Sequence, residues 1–164
     1  MKRLSLLLLL FALPFTLMVS CEQSGGGNKI LEARIDSLQN ELNSSYKPGT
    51  GALMNTIVQP HHLKLWFAGQ HKNWALAEYE RMELMGGFEK IQKLHKDKPE
   101  AAAVAMIFPA MEAIEKAIKE KDGNAFKNNY AILTNTCNTC HQALKYGFNV
   151  IKIPATNSFD NQSF

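Results

Sequence analysis

Residues 126–144 constrain this chain more than any other stretch. Phe126, Tyr130, Leu133, Cys137, Cys140 and Leu144 recur at alternating steps of four and three residues. That period sets one side of a helix into an apolar interior. Two members of the series are cysteines, so the fold must carry a pair of thiols on its core seam, with His141 one step past the second. A three-residue separation puts Cys137 and Cys140 on one helical face, and the next residue turns its imidazole to the side of that face.

Cys137-Asn138-Thr139-Cys140-His141 is the Cys-x-x-Cys-His pattern through which a c-type haem is attached. The thiols add across the vinyl groups as thioethers, and the adjacent imidazole ligates the iron. Two other chemistries use cysteines at this spacing. A zinc half-site needs a second Cys/His pair, and the only other cysteine is Cys21. A redox dithiol needs a βαβ setting, and no such pattern flanks the motif. Haem attachment takes place outside the cytoplasm, so the haem reading requires an exported chain.

The N-terminus meets that requirement. Lys2-Arg3 is followed by a run from Leu4 to Val19 that is apolar except at Ser5, Pro14 and Thr16, and then by Ser20-Cys21. A basic start, a short apolar stretch and a small residue before the cut read as a secretory signal over residues 1–20. An uncleaved anchor is the alternative, although the run is marginal for spanning a bilayer. Met18-Val19-Ser20-Cys21 resembles a bacterial lipobox, with methionine where leucine is usual. The resemblance implies lipidation of Cys21 and a chain tethered to a bacterial membrane, facing the periplasm or the cell surface. Lipid on Cys21 and haem on Cys137 and Cys140 would use all three cysteines. Loss of Lys2 and Arg3 takes two from 18 basic side chains that stand against 15 acidic ones. The near-neutral remainder is no footprint for nucleic acid.

Residues 21–50 read as a tether containing a short amphipathic helix. Gly25-Gly26-Gly27 is flexible. Leu31, Ile35, Leu38 and Leu42 then form a two-heptad, coiled-coil-like seam over residues 29–42. The seam serves either to pack back on the domain or to self-associate. Four further helices are expected at residues 51–68, 74–96, 100–121 and 125–146. Asn73 is a candidate N-cap, Pro60 and Pro109 are expected to kink or restart their helices, and Gly147 is expected to stop the last one. No segment shows sustained alternation. The fold class is therefore all-α, a four-helix up-down-up-down bundle over residues 51–148 with covalent haem on its C-terminal helix. Residues 149–164, with Pro154 and several asparagines, read as an irregular tail.

A single haem motif on the last helix of an exported four-helix bundle resembles the cytochrome c prime family and its low-spin relatives. The resemblance covers residues 51–148 and rests on the topology together with Cys137, Cys140 and His141. It implies haem c inside the bundle, His141 as proximal ligand, and the first bundle helix on the distal side. Many members carry an arginine shortly after the histidine, near a propionate; Lys145 stands nearest that place here, without arginine's fork.

Helix lengths select the candidates across the iron. Met54, near the start of the first bundle helix, lies at haem level and is the candidate distal ligand, its alternative being an ordinary core methionine. His61 and His62 lie roughly 10–12 Å further along at 1.5 Å per residue, out of reach unless Pro60 begins the helix. His95 is level with the haem, and His71 sits in a far turn. Gly86-Gly87, Ala101-Ala102-Ala103 and Ala105 are small enough to leave room for a porphyrin, or are simply tolerated helix residues. Trp66 and Trp74 suit a packed hairpin, and Lys116, Lys119, Lys121 and Lys127 a solvated surface. No Ser/His/Asp set, paired carboxylates or phosphate loop appears, which argues against an enzyme. Electron transfer to periplasmic or membrane redox partners is the leading reading. Binding or sensing of NO or CO is the alternative, and a haem-stabilised adhesion or assembly module is a third.

Overall fold

The computed structural model describes residues 25–164; the expected signal at residues 1–20 and the lipidation residue Cys21 lie outside them. The described chain is helical and contains no strand. It divides into two units that meet between Tyr46 and Lys47.

The first unit contributes α1 (Gly25–Ser44). Its Leu31, Ile35, Leu38 and Leu42 are each more than half exposed, so the expected seam exists as a continuous apolar stripe on the helix.

The second unit holds α2 (residues 50–70), α3 (Trp74–Leu94), α4 (residues 99–119) and α5 (Gly123–Ala143). In this unit α2 packs on α3, α3 on α4, α4 on α5, and α5 on α2. The core between them contains Leu65, Leu84, Phe88, Ile107, Ile114 and Leu133, all nearly or fully excluded from water. Asn73 caps α3 as expected, its side chain accepting from the Leu76 amide at 3.2 Å, and Asp122 does the same for α5 at the Asn124 and Ala125 amides.

Each proline stands in the first turn of an α-helical segment, Gln59–Gln70 and Phe108–Lys119, the restart expected for Pro60. Proline lacks an N–H and its ring crowds the carbonyl four residues back, and in both helices the preceding turn changes its hydrogen bonding to make room. In α2 a π-helical turn, Met54–Val58, passes directly into Gln59–Gln70. In α4 a 3-10 turn, Val104–Ile107, passes into Phe108–Lys119. Such turns recur near functional sites, and both of these touch the cleft described below.

The helix stops differ from expectation. The last helix ends at Ala143, not near Gly147, and the chain reverses at Lys145 with φ 66°. There the Tyr146 amide donates to His141 O and the Lys145 amide to Gln142 O, a Schellman closure. The same pattern closes α2 at Lys72 and α4 at Lys121, with φ of 58° and 55°. Glycine, the usual occupant of such positions, is used elsewhere. A Cβ on Gly69 would lie 2.1 Å from the Phe126 ring, and one on Gly87 would lie 3.0 Å from Ile57 and Val58. Both glycines let neighbouring helices approach closely.

The tail after α5 is irregular, as expected, but it belongs to the second unit. Ile151 and Phe164 pack against its core, Phe164 meeting Phe67 at 5.8 Å between ring centroids.

Candidate functional site

A cleft opens between the helices at the C-terminal end of α5. Three residues of α5 face it: Cys137, Cys140 and His141. Phe88 enters from α3, and Val104 and Ile107 from α4. Met54, Val58 and His62 line it from α2 at four-residue steps, and Asn149 and Ile151 come from the tail. An adjoining cavity shares Met54, Cys140 and His141 and reaches Thr50, Glu100 and Tyr146. The structure thus brings Cys137, Cys140, His141 and Met54 to one cleft.

Both thiols are free and buried. Burial, reinforced by neighbouring Cys140, pushes the Cys137 thiol up to about 12. Cys140 is raised too, by burial and then by the Glu100 carboxylate. A dithiol working by nucleophilic exchange requires the opposite shift, so the redox-dithiol alternative finds no support. Among the described residues no three His, Cys, Asp or Glu side chains are grouped to hold a metal ion, which leaves a zinc half-site without companions.

His141 is oriented through one of its ring nitrogens. Its Nδ1–H donates to the Asn149 carbonyl at 2.6 Å. A carbonyl can only accept, so the proton sits on Nδ1 and the Nε2 lone pair is left for a metal. Two buried thiols, an oriented imidazole one step on and an apolar cleft in front of them fit the attachment of a haem: Cys137 and Cys140 would form the thioethers and His141 would ligate the iron.

The other four histidines are committed within the fold. His61 Nδ1 meets Glu80 Oε2 at 2.6 Å. His71 Nδ1 donates to Phe67 O at 2.8 Å, and His95 Nε2 to Pro48 O at 2.8 Å. His62 meets the exception stated for it: an α-helical segment, Gln59–Gln70, begins with Pro60 in its first turn, and His62 lines the cleft wall beyond Met54 and Val58.

Both His62 ring nitrogens are nonetheless engaged. Tyr130 Oη donates its single proton to His62 O at 2.7 Å, so toward His62 Nδ1 at 2.9 Å it accepts. Nε2 lies 3.1 Å from the Thr134 hydroxyl, whose own proton is donated to Tyr130 O at 2.9 Å. Burial lowers His62 to about 4 and raises Tyr130 well above its usual range, with Cys137 adding to the latter. The network is therefore neutral.

Several expectations about the surroundings change. Gly87 closes the α2–α3 contact and does not widen the cleft. The α4 alanines stay off the cleft wall, which Val104 and Ile107 form instead. Lys145 is exposed and spent on the helix stop. Trp66 and Trp74 flank Phe126 at 6.5 and 6.1 Å, a packed hairpin as expected. Sequence reasoning missed the Thr134 contact and the whole contribution of the tail. Tyr130 showed only as a seam residue, and nothing in the sequence marked Asn149 or Ile151. Comparison of the chain with protein-family models, with curated proteins and with solved structures found no match.

Proposed function

We propose that this chain is a monohaem c-type cytochrome, lipid-anchored through Cys21, that transfers electrons in the manner of the low-spin relatives of cytochrome c prime. In this reading α2 to α5 run up, down, up and down as a four-helix bundle. The packing of each helix on its neighbours, with α5 returning to α2, supports that arrangement. When bound, the haem would carry one electron between ferric and ferrous states. The chain's own residues do the rest. Cys137 and Cys140 hold the group covalently, His141 offers Nε2, and Phe88, Val104 and Ile107 exclude water from the cleft.

The observation that carries the choice of electron transfer is that the other histidines of the unit are engaged in hydrogen bonds while Met54 lines the cleft. His61 and His62 are hydrogen-bonded away, and His95 is tied to Pro48. Met54 lines both parts of the cleft, and thioether ligation opposite histidine suits a carrier of raised potential. With His141 and Met54 as its two protein ligands the group would serve as an electron carrier, and the protein's part would be to hold and shield it.

The test is the absorption spectrum of protein made in a strain competent in cytochrome c maturation. Sharp low-spin ferrous bands that become high-spin in Met54→Ala are expected. An unchanged spectrum in that variant would remove Met54 as a ligand. Rapid CO binding by ferrous wild-type protein would turn the assignment to a gas-binding protein. Protein without covalent haem would end the cytochrome reading.

A further inference from the structure

We infer that Asn138, a spacer residue of the Cys-x-x-Cys-His motif, is a positioning residue that pins the C-terminal tail so that the Asn149 carbonyl orients His141 and sets its basicity. Where it concerns the iron, this rests on the haem reading above. The hydrogen bonding in the chain does not depend on it.

The motif's chemistry uses Cys137, Cys140 and His141 and leaves its two spacer positions free. Thr139 turns back on its own helix, its hydroxyl donating to Asn135 O at 3.1 Å. Asn138 does something different. Its Nδ2 donates to Ile151 O at 2.9 Å, and its Oδ1 accepts from the Ile151 amide at 2.7 Å. A side-chain amide has the donor and acceptor of a peptide unit, so Asn138 pairs with the tail as a strand would. Aspartate at this position could only accept, and alanine could do neither.

Two residues back, Asn149 accepts from His141 Nδ1 at 2.6 Å and donates its own amide to Tyr146 O at 2.8 Å. Among the described residues, no other hydrogen bond joins residues 150–164 to the helices. The tail has no regular secondary structure to hold it in place. Packing of Ile151 and Phe164 on the core also holds the tail, and the Asn138 clamp is the hydrogen-bonded contact that fixes Ile151, two residues from the Asn149 carbonyl.

That carbonyl matters because a partner on the second ring nitrogen fixes the tautomer and raises the basicity of a ligating imidazole. A more basic ligand favours ferric over ferrous iron, so loss of the clamp should raise the midpoint potential. Simple peeling of the tail has the opposite sign. Water admitted to the site stabilises the more charged ferric state and lowers the potential. The direction of the change thus separates positioning from mere cover.

The experiment compares wild-type protein with Asn138→Ala and Asn138→Asp. With covalent haem confirmed by its pyridine haemochrome, Asn138→Ala should shift the ferrous-to-ferric ratio upward by about tenfold, about 59 mV for one electron. Asn138→Asp, which keeps the acceptor for the Ile151 amide, should fall between the two. In the haem-free chain, imidazole ¹⁵N shifts should report the Nδ1–H tautomer of His141 in wild type and lose that preference in Asn138→Ala, with faster exchange of the Ile151 amide. An unchanged or lowered potential in Asn138→Ala, or an unchanged His141 tautomer in the haem-free variant, overturns the inference. Wild-type protein lacking covalent haem would overturn the cytochrome reading separately, while the ¹⁵N comparison would still decide the role of Asn138.

Discussion

His62 offers a prediction whose size follows from the structure. It is 5% exposed, has no carboxylate among its hydrogen-bond partners, and is held by burial near 4 against its usual 6.5. In the unfolded chain the imidazole takes up a proton as the pH falls through 6.5; in the folded chain it does not until about 4. The unfolded state binds more protons across that window, so stability is fully present above pH 6.5 and is lost as the pH falls toward 4. At 1.36 kcal/mol per pH unit the loss is about 3 kcal/mol, and below the folded value it levels off. A loss of that size is a large share of the 5–15 kcal/mol that roughly holds a domain together. The assay is urea unfolding followed by circular dichroism, on wild type and His62→Gln, at several pH values from 7.5 to 3.5. Other titrating groups are common to both proteins and cancel in the difference. The wild-type advantage, whatever its value at pH 7, should shrink by about 3 kcal/mol by pH 4. A difference that stays flat across this range would refute the assignment of His62 as a buried neutral base.

Other expectations concern the helix contacts and stops. Gly69→Ala places a methyl 2.1 to 2.6 Å from three atoms of the buried Phe126 ring. Overpacking of about 1–3 kcal/mol or more should outweigh the roughly 1 kcal/mol that alanine returns to a helix, lowering the melting temperature. In a Phe126→Leu background the same change should be neutral or stabilising; stabilisation with Phe126 intact would contradict the close approach. Lys121→Gly, at φ 55°, should raise stability by about 1 kcal/mol in urea unfolding because lysine is strained in the left-handed region. A decrease would mean that the Lys121 side chain contributes more than its backbone costs.

Much of the fold could be read from residue spacing. The helices begin and end within a few residues of expectation wherever an apolar stripe and a capping side chain coincide, as at Asn73 and Trp74. Glycine misled at the stops. Gly69 and Gly147 resemble helix ends, but Gly69 serves the contact with Phe126 and the chain turns at lysines instead. A one-dimensional pattern cannot say whether a glycine is wanted for its φ or for its missing Cβ. Proline did not mislead: Pro60 stands in the first turn of a restarted α-helical segment, and Pro109 does the same after a 3-10 turn.

The candidate site divides along the same line. Cys137, Cys140 and His141 were legible as a group on one cleft because their short fixed spacing puts them at one end of one helix, and Met54 because helix length sets its level in the unit. Those determinations are local, and local periodicity suffices for them. Tertiary structure alone decided the rest. It showed that His62 lies on the cleft yet is tied to Tyr130 and Thr134, partners 68 and 72 residues distant in sequence. It also showed that the tail, by way of Asn138 and Asn149, reaches His141. Hydrogen bonds between distant segments depend on where separate helices come to rest, and no period in the sequence records that.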